Sequence, residues 1–167
     1  MPASAWLKQK FKLPFPALNI PRRNEPIVTD MIYLDEPAID GGEEYAQVFT
    51  GTKSIVTNVE GMKTDKQFVN TLLDTIRKHG APTKLISGCA QVETINKVKD
   101  ILRALFIDDW QSEPHSQHQN LAERRIQNIK GTTNTILDRT NASSYAWLLC
   151  LMYVCFLYNY TASQSLH

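Results

Sequence analysis

The sequence has almost no net charge: 18 basic and 17 acidic residues leave a formal +1 over 167 residues. A nucleic-acid module that works through a strong global positive field is not encoded here. Any contact with a polyanion has to come from local clusters. Cysteine is scarce, with Cys89, Cys150 and Cys155 alone, an odd number without a CxxC or Cys/His zinc pattern. That usage implies free thiols in a reducing compartment, hence an intracellular location, nuclear or cytoplasmic. Long hydrophobic runs are also missing. The most apolar stretch, Ala146 to Tyr158 (AWLLCLMYVCFLY), has 13 residues, short of the roughly 20 needed to span a bilayer. It reads as a buried helix, with Cys150 and Cys155 as core thiols. Met1 to Lys12 is broken by polar and basic residues and lacks the apolar centre of a signal peptide. Neither an internal repeat, a Ser-His-Asp signature nor a phosphate-binding glycine loop is present.

What is present suits one domain with a substantial core, since 43% of the residues are hydrophobic. Residues 1–26 read as a proline-rich basic linker or arm, holding Pro2, Pro14, Pro16, Pro21 and Pro26 beside Lys8, Lys10, Lys12, Arg22 and Arg23. Proline at this density resists helix and central strand alike. The domain is expected over 27–162, with 163–167 as a tail.

From Ile27 the pattern becomes apolar and β-branched. Ile27 to Leu34, Tyr45 to Phe49 and Lys53 to Val59 read as three strands with short connections, hence an antiparallel meander. Gly41-Gly42 marks a turn. Thr64 to His79 has helical spacing, with Phe68, Leu72, Leu73 and Ile76 on one face. Thr64 and Gln67 form a candidate capping box, and Gly80 is the expected C-terminal stop. Thr83 to Ser87 reads as a strand returning parallel to the first. Gln91 to Leu105 is a helix, Phe106 to Trp110 a short strand, and Gln111 to Gln119 a polar loop. Helices follow over about Asn120 to Asp138 and Ser144 to Tyr160. The order predicts an α/β domain with a mixed sheet of about five strands, the first three antiparallel, flanked by helices. It is also the order of the ribonuclease H-like fold.

Two acids stand out. Asp30 lies inside a strand-forming apolar run, where a carboxylate is costly unless a metal ion, a hydrogen bond or exposure compensates it. Glu123 opens a helix in HQNLAERRIQ, and Gln127 and Lys130 follow at i+4 and i+7 on the same face. Such an edge can hold a metal ion at its start and a nucleic-acid strand along its length. It can equally be an ordinary solvated face.

Taken together, three blocks carry a resemblance. TDMIYLDEPAIDGGEEYAQVFTGTKS, KLISGCAQVE and HSQHQNLAERRIQNIKG, in this order, resemble the catalytic core of copia-type LTR retrotransposon integrases, within the retroviral-integrase-like superfamily. The similarity runs from about Ile27 to Ala162. It implies a ribonuclease H-like fold and an active site of three acids, at positions 30, 88 and 123. Asp35 is a rival for the first position, but alignment through Gly41-Gly42 favours Asp30. The step from position 88 to position 123 is 35, which fits the family's D-D-E spacing of roughly thirty-five. The implied chemistry is DNA 3′-end processing and strand transfer with Mg²⁺ or Mn²⁺, held here by Asp30 and Glu123. Two hard cations on oxygen ligands would clamp the attacking and leaving oxygens of an in-line phosphodiester reaction. The implied partners are DNA and further copies of the chain, without a membrane.

Position 88, however, is glycine. It offers no side-chain oxygen, and the nearby Cys89, Gln91 and Glu93 are the candidate replacements. Cysteine is a poor Mg²⁺ ligand, and Glu93 lies five residues on. Loss of such a ligand costs on the order of a thousandfold or more in rate. Leu121 is a further departure, standing near where the family has glycine or proline. The reading is therefore a degenerate integrase core that binds nucleic acid through Arg124, Gln127 and Lys130, catalytically inactive. A non-catalytic nucleic-acid-binding module and an oligomerisation domain are the alternatives. Lys97, Lys99, Arg103, Arg124, Arg125 and Lys130 would form one basic region if their helices are neighbours. His115 and His118, spaced as HSQH, have no further zinc ligand at a finger interval and read as loop polarity.

Overall fold

The computed structural model describes residues 20–87, 92–111 and 121–161, and the side chains of these except 92–95, 110 and 111. Five strands and four helices follow one another: β1 (Ile27–Tyr33), β2 (Tyr45–Gly51), β3 (Thr57–Met62), α1 (Phe68–His79), β4 (Lys84–Ser87), α2 (Val92–Ala104), β5 (Asp108–Gln111), α3 (Leu121–Thr140) and α4 (Trp147–Tyr160). The sheet order is β3-β2-β1-β4-β5. β1, β2 and β3 are antiparallel neighbours, whereas β4 runs parallel to β1 and β5 parallel to β4. β1 is thus the strand at which the antiparallel half meets the parallel half.

Because side chains alternate across a strand, the sheet separates two layers of core. Ile27, Phe49 and Leu85 point to one face and pack with Leu72 and Ile76 of α1 and Leu102 of α2. Val28 and Val48 point to the other and pack with Ala122 and Ile126 of α3. Ala46 lies on that second face too, against Ile129 of α3 and Trp147, Leu151 and Val154 of α4. Asp30 has the parity of Val28 and therefore faces α3.

Several boundaries differ from the sequence reading for local reasons. The third strand was expected from Lys53 but begins at Thr57. Glu25 draws the loop aside: its carboxylate accepts the Lys53 and Ser54 backbone N–H groups at 2.9 Å each. Ile55 takes a left-handed φ of 57°, and Gly51 N–H reaches across to the Val56 carbonyl at 3.0 Å. The β-branched run Ile55-Val56-Thr57 therefore straddles a turn and a strand start.

The expected capping box forms only in part. Thr64 makes no side-chain cap, and a 3-10 turn over Asp65–Gln67 precedes α1. The Gln67 amide oxygen instead accepts the Lys63 N–H at 2.8 Å. Gly80 does end α1, at φ 91°, with its N–H on the Ile76 carbonyl at 2.9 Å. The strip ahead of β1 is hydrogen bonded to the fold there: Ala81 N–H donates to the Pro21 carbonyl, and Arg23 N–H to the Ala81 carbonyl, both at 2.8 Å.

The final helix was read as buried, and only one side of it is. Trp147, Leu148, Leu151, Val154 and Cys155 are covered, while Leu149, Met152, Tyr153, Phe156, Leu157 and Tyr160 are exposed. Among the described residues no helix is long and apolar enough to cross a membrane.

Candidate functional site

The site is built where β1 meets α3. Asp30 sits in the middle of β1, opposite Val48 of β2. One residue earlier, Thr29 pairs in parallel register with Ser87, the last residue of β4. Asp35, the rival first acid, lies beyond the end of β1 and is exposed. Glu123 occupies the first turn of α3 and is half-buried. A carboxylate there is favoured by the partial positive charge of a helix N-terminus. α3 is fixed to the sheet by Ala122, Ile126, Ile129 and Thr133, an i, i+4, i+7, i+11 stripe that is buried throughout. Glu123, Gln127 and Lys130 flank that stripe along one side. Gln127 is exposed, and Lys130 is half-buried.

The contact that defines the site joins Lys130 to Asp30. The Lys130 ammonium donates to Asp30 Oδ2 at 2.6 Å, a separation of 100 residues in sequence. The side chains are 32% and 42% exposed, respectively. Cβ atoms on a helix tilt toward its N-terminus, so the Lys130 stem leans toward the start of α3. At this exposure an ion pair contributes about 0.2–1 kcal/mol to stability. Its consequence is therefore positional: it sets where the charge of Asp30 is spent.

The cations of α2 and α3 do not form one surface. α2 packs on the face with α1, and α3 on the opposite face with α4. Lys97, Lys99 and Arg103 are therefore separated from Arg124 and Lys130 by the sheet. Arg125 leaves the region as well. Its guanidinium lies 4.6 Å from the centroid of the Tyr158 ring and donates to the Tyr158 carbonyl at 2.5 Å. Burial pushes its pKa down from the usual arginine value. Arg125 joins α3 to α4, which neither charge nor spacing in the sequence indicated. Arg124 and Gln127 remain exposed on the outer face of α3, with Leu121 exposed at its start. Gly88, Cys89, Gln91, His115 and His118 lie outside the described residues, as does the side chain of Glu93.

Divalent ions fit these residues poorly. Among the described residues no group of three His, Cys, Asp or Glu side chains could hold a metal ion. One oxygen of Asp30 is engaged by an ammonium, and position 88 has no side chain to offer. The Mg²⁺ or Mn²⁺ that the resemblance implies has no such group among the described residues, and Asp30, one of its two expected ligands, faces an ammonium.

Scanned against protein-family models, the sequence matches none, and no curated protein matches it. Solved structures do match in shape. The catalytic core domain of BIV integrase superposes with a TM-score of 0.61 at 14% identity, over 84% of this chain and 87% of that one. A chain from the simian T-cell lymphotropic virus intasome in complex with PP2A regulatory subunit B56 gamma superposes with a TM-score of 0.56 at 15% identity. That match covers 79% of this chain and 48% of the intasome chain, so this chain spans about half the length of that relative. At such identities the likeness is one of fold. The chain has the ribonuclease H-like α/β fold of integrase catalytic cores, a mixed five-stranded sheet flanked by helices.

Proposed function

We propose that this chain is the core of a copia-type retrotransposon integrase that retains nucleic-acid binding and has lost phosphodiester chemistry. The observation that carries the reading is the Lys130–Asp30 contact at 2.6 Å, made between the central strand and the helix that Glu123 opens, in an integrase-core fold. One similar structure is an integrase catalytic core and another belongs to an intasome. A role linked to DNA integration is what we carry from them to this chain. Asp30 and Glu123 are read as two survivors of a three-acid site, with Gly88 at the third position.

Nucleic-acid contact is assigned to the outer face of α3, where Arg124 and Gln127 are exposed beside Lys130. The Arg124 guanidinium would neutralise a backbone phosphate, and the Gln127 amide could hydrogen bond to phosphate or base. With a net charge of +1, the binding should be modest and strongly salt-dependent.

The test measures end nicking and strand transfer on a labelled DNA duplex with Mg²⁺ or Mn²⁺, beside duplex affinity across a salt series. The natural chain is expected to bind the duplex and to leave it intact. Cleavage by the natural chain that Asp30→Asn abolishes would overturn the claim of lost chemistry. Absence of salt-dependent binding at low ionic strength would overturn the claim of retained nucleic-acid affinity. Activity gained by Gly88→Asp would support the degenerate-site reading directly.

A second reading, an oligomerisation domain, draws on α4. Leu149, Met152, Tyr153, Phe156, Leu157 and Tyr160 form an uncharged exposed strip, with the Phe156 and Tyr160 rings 4.6 Å apart. Contiguous apolar surface of this kind is characteristic of interaction sites. A mass that rises with concentration, together with absence of DNA binding, would favour it.

A further inference from the structure

Lys130 joins the two elements that position the site's acids, and the charge balance there is unusual for a metal centre. The Asp30 carboxylate faces the Lys130 ammonium, and position 88 contributes no charge. A pair of divalent ions would bring four positive charges to a carboxylate already paired with one. In addition, Asp30 Oδ2 lies 2.6 Å from the Lys130 nitrogen, the length of a charge-assisted hydrogen bond. A metal ion approaching that oxygen would have to displace the ammonium, shed part of its own hydration shell and bear the ammonium's repulsion.

We propose that Lys130 is the resident cation of this site: its ammonium holds the Asp30 carboxylate in the place of a divalent ion and keeps such ions out. The inference deepens the reading of Asp30 and Glu123 as surviving acids, and rests on it for their ancestry. Its test is independent, because it needs no nucleic acid. Lys130 differs from an exchangeable ion in being delivered by the fold. The buried stripe Ala122, Ile126, Ile129 and Thr133 fixes α3 on the sheet, and the lysine stem only has to reach from that anchored helix to β1. The Asp30 charge is therefore compensated as soon as the domain folds, whatever the metal concentration. A lost acid at position 88 and a lysine on Asp30 are mutually consistent, since fewer carboxylates leave less to attract a dication and more need for only one positive charge.

The experiment measures Mn²⁺ binding from the electron paramagnetic resonance signal of the free ion, at low ionic strength and without nucleic acid. The proteins are the natural chain, Lys130→Gln, Lys130→Arg, Asp30→Asn and the double variant Asp30→Asn/Lys130→Gln. Lys130→Gln should bind Mn²⁺ about tenfold or more tightly than the natural chain, because a neighbouring positive charge has been removed. Lys130→Arg keeps the charge and should resemble the natural chain. The double variant should lose the gained site. Equal affinity in the natural chain and Lys130→Gln would overturn the proposal, as would a gain that survives Asp30→Asn. If circular dichroism shows Lys130→Gln unfolded, the natural chain against Asp30→Asn decides. Unchanged Mn²⁺ binding supports a carboxylate already occupied by Lys130, and weakened binding refutes it. Loss of DNA binding would sink the nucleic-acid reading while leaving this result standing, so the two failures are distinguishable.

Discussion

Asn159 clamps the backbone of Thr57 with both ends of its amide: Oδ1 accepts the Thr57 N–H at 2.9 Å, and Nδ2 donates to the Thr57 carbonyl at 2.8 Å. One side chain near the end of α4 thus imitates a neighbouring strand at the first residue of β3. Thr57 also meets Thr50 of β2 through their hydroxyls at 3.1 Å. The clamp closes the outer edge of the antiparallel half and holds α4 over the face that carries Asp30.

Asn159→Ala leaves the N–H and C=O of buried Thr57 without these partners. Two hydrogen bonds of ordinary strength are lost, so a destabilisation of about 1–3 kcal/mol is expected. Urea unfolding checks it, and a midpoint equal to that of the natural chain would show that the clamp does not form in solution.

Acid should weaken the fold through Glu25. Burial by itself would raise this carboxyl's pKa. Hydrogen bonds from the Ser54 backbone, the Ser54 hydroxyl, the Lys53 backbone and Arg23 outweigh it and hold the value at about 2. The folded value lies below the unfolded one, 4.5. The stabilisation is therefore complete above pH 4.5 and disappears as pH falls toward 2, amounting to about 3 kcal/mol. Unfolding free energy measured against pH should show this loss, and Glu25→Gln should flatten the curve in that window while lowering stability at neutral pH.

Gly80 should not tolerate a side chain. Its φ is 91°, and an added Cβ would lie 2.9 Å from the Pro21 carbonyl oxygen. The cost of Gly80→Ala combines a left-handed backbone with a close approach and should exceed about 1 kcal/mol. A thermal melt that matches the natural chain would mean that the strip around Pro21 moves away freely.

Adjacent arginines should separate binding from stability. Arg124 is exposed on α3, and Arg125 lies against the Tyr158 ring and donates to the Tyr158 carbonyl. Arg124→Ala should leave the melting temperature close to that of the natural chain and weaken duplex affinity. If one phosphate contact is lost, the log-log salt slope should fall by about 0.9. Arg125→Ala should lower the melting temperature and leave the slope unchanged. The opposite pattern would remove the outer face of α3 from the proposed interface.

The sequence alone determined the element order and the sides of the sheet, because these follow from periodicity. Val28 and Val48 alternate with Ile27 and Phe49, and the 3–4 spacing of Leu72 and Ile76 needs no distant information. It also determined that position 88 carries no acid, a fact of composition. Tertiary structure decided everything that depends on distant pairs. Lys130 meets Asp30 across 100 residues, Asn159 meets Thr57 across 102, and Glu25 reaches Lys53 and Ser54 from a proline-rich strip that reads locally as a linker. The basic residues of α2 and α3 look alike in sequence, yet the sheet separates their helices. Adjacent Arg124 and Arg125 point differently because a helix turns roughly 100° per residue. A local pattern sets which face a side chain takes, but only the packed chain sets what stands opposite it.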